Sequence, residues 1–289
     1  MDEIRILISE NNSNISIKEF LKNSNVGRGK IEQIRVEKTS FINGVYKPLE
    51  TKLSKGDILS FSLEEKIDFI PLDMPIEIVY EDDYLLAVNK PADLIIHPDD
   101  KNKTGTLVNI VANYYKQNNV SRKIRYLHRI DKETTGIVLF AKDFITEAIL
   151  LKEIENHNMS KIYLALVEGT LPKPEGIIKA NISTHRHING KMCVTKNGKE
   201  AITNYKVIKK INDFSLVEFS LLTGRTHQIR VHSSYLNHPL LGDVLYGGNL
   251  KKIGRVALHS YKMIFAHPII NIEITIECPL PDDMKNLLK

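Results

Sequence analysis

Tryptophan is absent from this 289-residue sequence, and cysteine occurs only as Cys193 and Cys278. Two cysteines are too few for a disulfide framework or for a four-cysteine zinc cage. The ten histidines show none of the familiar zinc spacings, and neither a P-loop nor a dinucleotide-binding glycine motif occurs. We therefore expect a protein that uses no metal and no cofactor.

Long apolar runs are missing as well. No stretch approaches the roughly 20 apolar residues that cross a membrane, and the first residues, Met1 to Arg5, lack the features of a signal peptide. A hydrophobic content of 42% and a charged content of 26% are ordinary for a globular protein. We expect a cytoplasmic monomer with one large and one small domain.

Acidic residues are scarce in two stretches of the chain. Residues 1–70 hold 11 basic and 11 acidic side chains, so the net charge of +5 arises in the remainder, from 29 basic against 24 acidic ones. Residues 101–132 and 178–210 each carry eight basic side chains against a single acidic one. Such blocks predict a basic surface for nucleic acid, with two separate solvated faces as the alternative.

The chain divides into a small module over residues 1–70, a linker over 71–75 and a larger domain over 76–289. In the module, the pattern predicts a helix capped by Ser16, a second short helix, and strands joined by a turn at Asn43-Gly44. The larger domain is predicted to be rich in strands and to begin with a hairpin.

Three local predictions concern the larger domain. A helix is expected from Gly105 to Gln117, with Thr104 as its N-cap. The polar stretch from Ser183 to Gly190 lacks periodicity and is typical of a mobile loop. A hydrophobic strand is expected over residues 269–276.

One short stretch concentrates chemically versatile side chains. His128, Arg129 and Asp131 place an imidazole, a guanidinium and a carboxylate within four residues. The uninterrupted apolar run at residues 137–141 follows and predicts a strand that is buried on both faces. A charged turn beside such a strand is held by a rigid scaffold, as catalytic turns are. These residue types alone also fit an ordinary solvated turn.

The motifs indicate a family. Residues 128–136, His-Arg-Ile-Asp-x-x-Thr-Thr-Gly, resemble the His-Arg-Leu-Asp-x-x-Thr-Ser-Gly signature of the RluA-type pseudouridine synthases (ribosomal large subunit pseudouridine synthase C/D-like). Residues 224–232 reproduce that family's Gly-Arg-Thr-His-Gln-Ile-Arg-Val-His, and residues 161–169 are similar to its Lys-x-Tyr-x-Ala-Leu-Val-x-Gly. The segment 89–98 resembles Asn-Lys-Pro-Ala-Gly-Leu…His-Pro, with Asp93 in place of glycine. The resemblance covers nearly all of the larger domain.

The resemblance implies an isomerase that converts uridine in RNA to pseudouridine after flipping the base out of its stack. Its catalytic residues would be Asp131, as the indispensable carboxylate, Tyr163, beside the detached uracil, and Arg230, as the charge partner of the carboxylate. The RNA contacts that it implies are carried by basic side chains, namely Arg129, His128, Lys90, Arg225 and His227.

The resemblance also implies a fold and an RNA partner. For residues 76–289 it implies an α+β fold, with a mixed, largely antiparallel sheet, flanking helices and a central basic cleft. Residues 1–70 resemble an S4-type RNA-binding domain, although Gly27-Arg28-Gly29 stands where Ser-Arg-Ser is usual. The implied partner is ribosomal or transfer RNA, and the S4-like module favours large-subunit ribosomal RNA.

Two other function classes remain open from the residues. A nucleosidase or glycosidase would also place a carboxylate at the sugar carbon, but it usually needs a second carboxylate, for which Glu133 is the nearby candidate. A non-catalytic RNA-binding protein would explain the charge. It would not need Asp131, Tyr163 and Arg230 together.

Overall fold

The computed structural model describes residues 3–62, 65–98 and 104–289. Lys101 and Lys103, which belong to the first basic block, lie outside these ranges. Within the described ranges, no helix has the length and apolar character that a membrane span requires.

The N-terminal module is a four-stranded sheet with two helices. Its elements, in chain order, are β1 (Ile4–Leu7), α1 (Ile17–Asn23), α2 (Arg28–Glu37), β2 (Ser40–Ile42), β3 (Val45–Tyr46) and β4 (Ile58–Phe61). The strand order is β1-β4-β2-β3. The predicted cap is confirmed, because the Ser16 hydroxyl accepts from the N–H of Glu19 while the Glu19 carboxylate accepts from the N–H of Ser16.

The larger domain is built on one ten-stranded sheet of the described residues. Its elements are β5 (Glu77–Glu81), β6 (Leu85–Lys90), α3 (Leu107–Gln117), β7 (Arg125–Tyr126), β8 (Thr135–Ala141), α4 (Phe144–Glu155), β9 (Ser160–Glu168), β10 (Glu175–Lys179), β11 (Ile182–Thr184), β12 (Met192–Val194), β13 (Ile202–Ile211), β14 (Phe214–Leu221), α5 (Gln228–Tyr235), β15 (Leu258–Ala266), β16 (Glu273–Glu277) and α6 (Asp282–Asn286).

The sheet runs in the order β10-β13-β14-β9-β15-β8-β6-β5, with β16 beside β15 and β7 beside β8. Its strand pairs are antiparallel apart from β8 and β15, which run parallel. Strands β11 and β12 form a separate hairpin. The predicted α+β fold with a mixed, largely antiparallel sheet is therefore confirmed.

Strand β8 is the strand that the apolar run predicts, and all seven of its residues are buried. Val138 and Phe140 pack into the core that contains α3, while Ile137 and Leu139 pack into the opposite core. Gly136 lies at φ +106°, and a Cβ there would meet the Ser260 carbonyl oxygen at 2.3 Å. Glycine is therefore required where β8 approaches β15.

The structure corrects three local predictions. The cap of α3 is Thr106 instead of Thr104, because the Asn109 amide oxygen accepts from both the N–H and the hydroxyl of Thr106. Part of the expected loop at 183–190 is strand, since Ser183 pairs with Cys193 across the β11–β12 hairpin. The predicted strand at 269–276 begins only at residue 273.

The junction of the module with the larger domain is a packed interface. The Phe61 and Phe144 rings meet edge to face with centroids 5.9 Å apart, and Phe144 belongs to the module's apolar core. The buried Arg125 guanidinium pairs with both Glu65 and Glu147. The segment that enters the larger domain is therefore anchored by charge as well as by apolar contacts.

Candidate active site

Asp131 lies in the turn between β7 and β8. The turn is closed by the N–H of Thr134, which donates to the Asp131 carbonyl oxygen at 3.1 Å. Ahead of it, the Leu127 N–H donates to the Leu139 carbonyl at 2.9 Å, so the chain continues to follow β8. The rigid β8 thus fixes the turn, while the Asp131 side chain keeps 23% of its surface exposed.

Arg230, in the first turn of α5, reaches this carboxylate from 99 positions away in the sequence. Its Nη1 lies 3.5 Å from Asp131 Oδ2, and its side chain is 4% exposed. The ion pair expected between these two residues is confirmed. Although burial lowers the pKa of Arg230, hydrogen bonding and the charges of Asp243 and Asp131 outweigh it and raise the pKa above its usual value.

Asp243 is the site residue that sequence reasoning missed. Its two carboxylate oxygens accept from Arg230 Nε at 2.8 Å and from Arg230 Nη2 at 2.9 Å, and the Asp243 side chain has no exposed surface. This bidentate pair fixes the plane of the guanidinium, so that Nη1 faces Asp131. Asp243 follows Arg230 by 13 positions, and nothing in the sequence marks it as the partner of that residue.

Tyr163 approaches the same carboxylate from β9. Its backbone lies opposite Ser260 of β15 in the strand register, and its side chain is buried. Burial, and next the charge of Asp131, raise the pKa of the Tyr163 phenol above its usual value. The ring is therefore a neutral phenol near the Asp131–Arg230 pair.

His227 lies in the site itself, at the N-cap of α5, in the left-handed region with φ +55°. Its Nε2 is 3.9 Å from Asp131 Oδ2. Its Nδ1 is 2.9 Å from the hydroxyl oxygen of Tyr246. Burial lowers the pKa of His227, while the charge of Asp131 acts in the opposite direction.

Lys90 is not at the surface where an RNA contact requires it. The side chain is 0% exposed, and Nζ donates to the carbonyl oxygens of Pro91, Leu94 and Lys132 at 2.7, 2.8 and 2.9 Å. Burial lowers the pKa of Lys90 to about 7, against the charges of Asp131 and others nearby. The expectation of an RNA contact is corrected, because Lys90 instead holds the backbone of the Asp131 turn.

His128 is also directed inward. Its Nε2 accepts from the N–H of Leu139 at 3.1 Å, and its buried Nδ1 has no hydrogen-bond partner among the residues that the structure describes. Burial, with a smaller effect of Lys161, lowers the pKa of His128 to about 3. Neither ring nitrogen is available to RNA in this arrangement, which corrects the second expected contact.

Arg129 and Arg225, two of the expected RNA contacts, have side chains that reach the surface. Arg129 is exposed and makes no hydrogen bond or ion pair with the residues that the structure describes. Arg225 is partly exposed, and its Nε donates to the Glu200 carbonyl at 2.8 Å. Arg125, by contrast, contributes to the first basic block in sequence but is buried and paired.

A second carboxylate lies beside the site. Glu133 Oε2 is 3.7 Å from Arg230 Nη1, and the Glu133 side chain is 39% exposed. Because Asp131 Oδ2 is 3.5 Å from the same nitrogen, these two carboxylate oxygens are at most 7.2 Å apart.

This chain is similar to several known proteins. The RNA pseudouridylate synthase family model matches residues 84–235. The uncharacterized RNA pseudouridine synthase YhcT of Bacillus subtilis (strain 168) is 39% identical over 262 residues, which cover 89% of this chain and 85% of the relative.

Two further comparisons come from a curated relative and from a solved structure. Ribosomal large subunit pseudouridine synthase D of Escherichia coli O6:H1 is 33% identical over 279 residues, 91% of this chain and 85% of the relative. Human RNA pseudouridylate synthase domain containing 4 superposes with a TM-score of 0.62 at 26% identity, over 73% of this chain and 91% of that structure.

Proposed function

This chain belongs to the RNA pseudouridylate synthase family and is an RNA pseudouridine synthase. On that premise we propose that it isomerises specific uridines in structured RNA, with Asp131 as the catalytic carboxylate. One observation carries the proposal. A partly exposed carboxylate lies 3.5 Å from a buried guanidinium, at the point where the turn before β8 meets α5.

The reaction needs an anion but no electron carrier. The N1–C1′ bond of uridine breaks, the base turns, and a C5–C1′ bond forms, while C5 loses a proton and N1 gains one. Asp131 would either attack the sugar carbon or remove a sugar proton, and both routes start from the carboxylate. Arg230 holds that carboxylate in place through its charge and its hydrogen bond.

Tyr163 supports the detached base in this proposal. We assign the flat apolar face of the Tyr163 ring to packing against uracil. Because the pKa of its phenol is raised, Tyr163 holds its own proton near neutral pH. That makes it a poor acceptor for the C5 proton unless another group takes the phenol's hydrogen.

A uridine in folded RNA must leave its stack to reach Asp131, at a cost of roughly a few kcal/mol. We assign Arg129 to the space that the flipped base leaves. This residue is exposed and makes no bond to the described part of the protein, so its guanidinium plane is available for stacking on neighbouring bases. Arg225 would contact the backbone of the RNA.

We propose large-subunit ribosomal RNA as the substrate and transfer RNA as the competing choice. The support is the name of the Escherichia coli relative, a ribosomal large subunit pseudouridine synthase, together with the S4-like arrangement of the N-terminal module. A cytoplasmic location and a monomeric enzyme belong to the same proposal.

The test is a direct assay on defined RNA. Purified protein is incubated with large-subunit ribosomal RNA transcripts and with unmodified transfer RNA, and pseudouridines are mapped at single-nucleotide resolution. We expect modification at a small number of ribosomal uridines and none with Asp131→Asn, which keeps the shape of the side chain but removes the anion. Turnover by Asp131→Asn would exclude the assigned carboxylate, and modification of transfer RNA alone would exclude the assigned substrate.

A glycosidase is the second candidate, favoured by one observation. The oxygens of Asp131 and Glu133 that face Arg230 lie at most 7.2 Å apart, and this upper limit falls inside the range of about 5 to 10 Å for paired carboxylates in glycosidases. Such an enzyme would release free uracil, which chromatography detects. We expect none, and we expect Glu133→Gln to retain isomerisation because the proposed reaction needs one carboxylate.

A further inference from the structure

Tyr246 connects the candidate active site to the β11–β12 hairpin. Its hydroxyl oxygen accepts from the N–H of Met192 at 2.8 Å and lies 2.9 Å from His227 Nδ1. The Tyr246 and His227 rings meet edge to face with centroids 5.7 Å apart. Both partners of the hydroxyl are therefore fixed in place, one by the hairpin backbone and one by the N-cap of α5.

The proton of the Tyr246 hydroxyl has one destination among the residues that the structure describes. The Met192 N–H can only donate, so the phenol needs a different acceptor for its own hydrogen. Burial raises the pKa of Tyr246 to about 12, so the phenol keeps that hydrogen at neutral pH. His227 Nδ1 is the acceptor within reach. A neutral imidazole that accepts at Nδ1 carries its own proton on Nε2.

The other nitrogen of His227 faces the catalytic carboxylate. Nε2 lies 3.9 Å from Asp131 Oδ2, which is also the oxygen that Arg230 contacts. The charged groups around this ring are Asp131, Arg230, Asp243 and Glu133, and burial outweighs the three carboxylates to lower the pKa of His227. The ring is thus neutral near pH 7, with an N–H on the side of Asp131.

We propose that Tyr246 is a positioning residue that fixes His227 in its Nε2–H tautomer, so that His227 and Arg230 both direct donors at Oδ2 of Asp131. Oδ1 receives no hydrogen bond from the residues that the structure describes and is the oxygen left to act on uridine. The catalytic consequence rests on the proposed function, whereas the tautomer itself does not.

The tautomer is measured directly by NMR on protein labelled with ¹⁵N-histidine. The two ring nitrogens of a neutral imidazole differ strongly in ¹⁵N shift, and the spectrum of His227→Gln assigns the His227 signals by their loss. We expect Nε2 protonated and Nδ1 unprotonated in the native protein, and a mixture of both tautomers in Tyr246→Phe. A protonated Nδ1 in the native protein, or an unchanged tautomer in Tyr246→Phe, would overturn the proposal.

A matched pair of variants tests the effect on rate. The side-chain amide of His227→Gln reaches the position of Nε2 and keeps a donor there, while that of His227→Asn reaches only the position of Nδ1. We expect kcat to stay within about tenfold for Gln and to fall about 100-fold for Asn, the effect of one lost positioned donor, with KM nearly unchanged in both.

Equal losses in the two variants would contradict the assigned donor even if the NMR result held. Failure of the proposed function can be distinguished from failure of the tautomer proposal. An active Asp131→Asn enzyme would remove Asp131 from the mechanism but would leave the tautomer measurement intact. Circular dichroism of each variant separates loss of folding from loss of positioning.

Discussion

Asp243 holds Arg230 through two hydrogen bonds, at 2.8 and 2.9 Å, and leaves Nη1 of that guanidinium facing Asp131. The Arg230 guanidinium also lies over the Tyr246 ring, with its central carbon 5.2 Å from the ring centroid. Arg230 is therefore immobilised before any substrate arrives. A preorganised charge of this kind needs no rearrangement during the reaction.

Asp243→Asn tests whether this immobilisation matters. Asn keeps the shape but leaves the buried guanidinium with one fewer acceptor and without the nearest of its carboxylate partners, so we expect kcat to fall about 10- to 100-fold and stability to fall by about 3 kcal/mol. Single-turnover kinetics and urea unfolding measure the two effects.

A second bidentate pair in the chain serves as the control for that variant. Asp283 accepts from Arg255 Nε and Nη2 at 2.7 and 2.8 Å, and its side chain is 42% exposed. Asp283→Asn should change stability by less than about 1 kcal/mol and leave kcat unaltered. Equal activity of the two variants would show that Asp243 only stabilises the fold.

Lys90→Met tests the corrected position of Lys90. Met keeps an unbranched apolar stem but leaves three carbonyl groups without their donor, so we expect about 3 kcal/mol of lost stability. A lower kcat should accompany it, because the turn that carries Asp131 loses its support at the Lys132 carbonyl. RNA affinity should retain its full dependence on salt.

The salt dependence of binding distinguishes Lys90 from a true RNA contact. Removing one phosphate contact lowers the slope of log K against log salt concentration by about one. We expect that change for Arg225→Gln, whose side chain is partly exposed, and not for Lys90→Met. A reduced slope for Lys90→Met would restore Lys90 as an RNA contact.

The catalytic turn could be predicted from sequence because its determinants are local. The apolar run that forms β8 follows Asp131 directly, and its uninterrupted pattern requires burial on both faces. The bond between Asp243 and Arg230 has no such signature, because it depends on how the chain after α5 returns to the helix.

The predictions that Lys90 and His128 contact RNA were wrong for a related reason. Residue type predicts that lysine and histidine face solvent, whereas Lys90 lies beneath the turn and His128 bonds to the backbone of β8. Their surroundings are set by tertiary packing that a single sequence does not specify. The parallel pairing of β8 with β15 joins strands that are far apart in the sequence. A single sequence does not specify this pairing either.

Truncation tests the junction between the module and the larger domain. Deleting residues 1–70, as the sequence suggests, removes Glu65, whose carboxylate pairs with the buried Arg125. We expect a deletion of residues 1–64 to be more stable by about 3 kcal/mol than a deletion of residues 1–70, because the longer deletion removes the Glu65 partner of the buried Arg125 and leaves Glu147 to pair with it. Urea unfolding of the two proteins makes the comparison.

A substitution within the shorter protein separates the charge effect from lost apolar contacts. Arg125→Met in the 1–70 deletion removes the buried charge that has lost Glu65 and should recover part of the stability, since replacing both members of a buried pair is often nearly neutral. Ile67 and Phe69 pack beside α3. The 1–70 deletion lacks them both with and without Arg125→Met, so they do not affect this comparison. No recovery would mean that the apolar contacts dominate the junction.

His128 should make the folded protein sensitive to mild acid. Its Nε2 accepts from the Leu139 N–H, so protonation would break that bond, and burial lowers the pKa of His128 to about 3. The unfolded chain binds this proton below about pH 6.5, whereas the folded chain does not until near pH 3. The free energy of unfolding should therefore fall by about 1.4 kcal/mol per pH unit on acidification below pH 6.5.

The variant His128→Gln isolates this contribution. The Gln side chain reaches the position of Nε2, and its oxygen can accept from the Leu139 N–H at every pH. Urea unfolding at pH 4.5, 5 and 5.5, below the unfolded pKa of about 6.5, should show a slope that is shallower by about 1.4 kcal/mol per pH unit than in the native protein. His232 and His259, whose pKa values are also lowered by burial, contribute equally to both proteins. Parallel pH profiles would mean that His128 is solvated and protonates normally in the folded state.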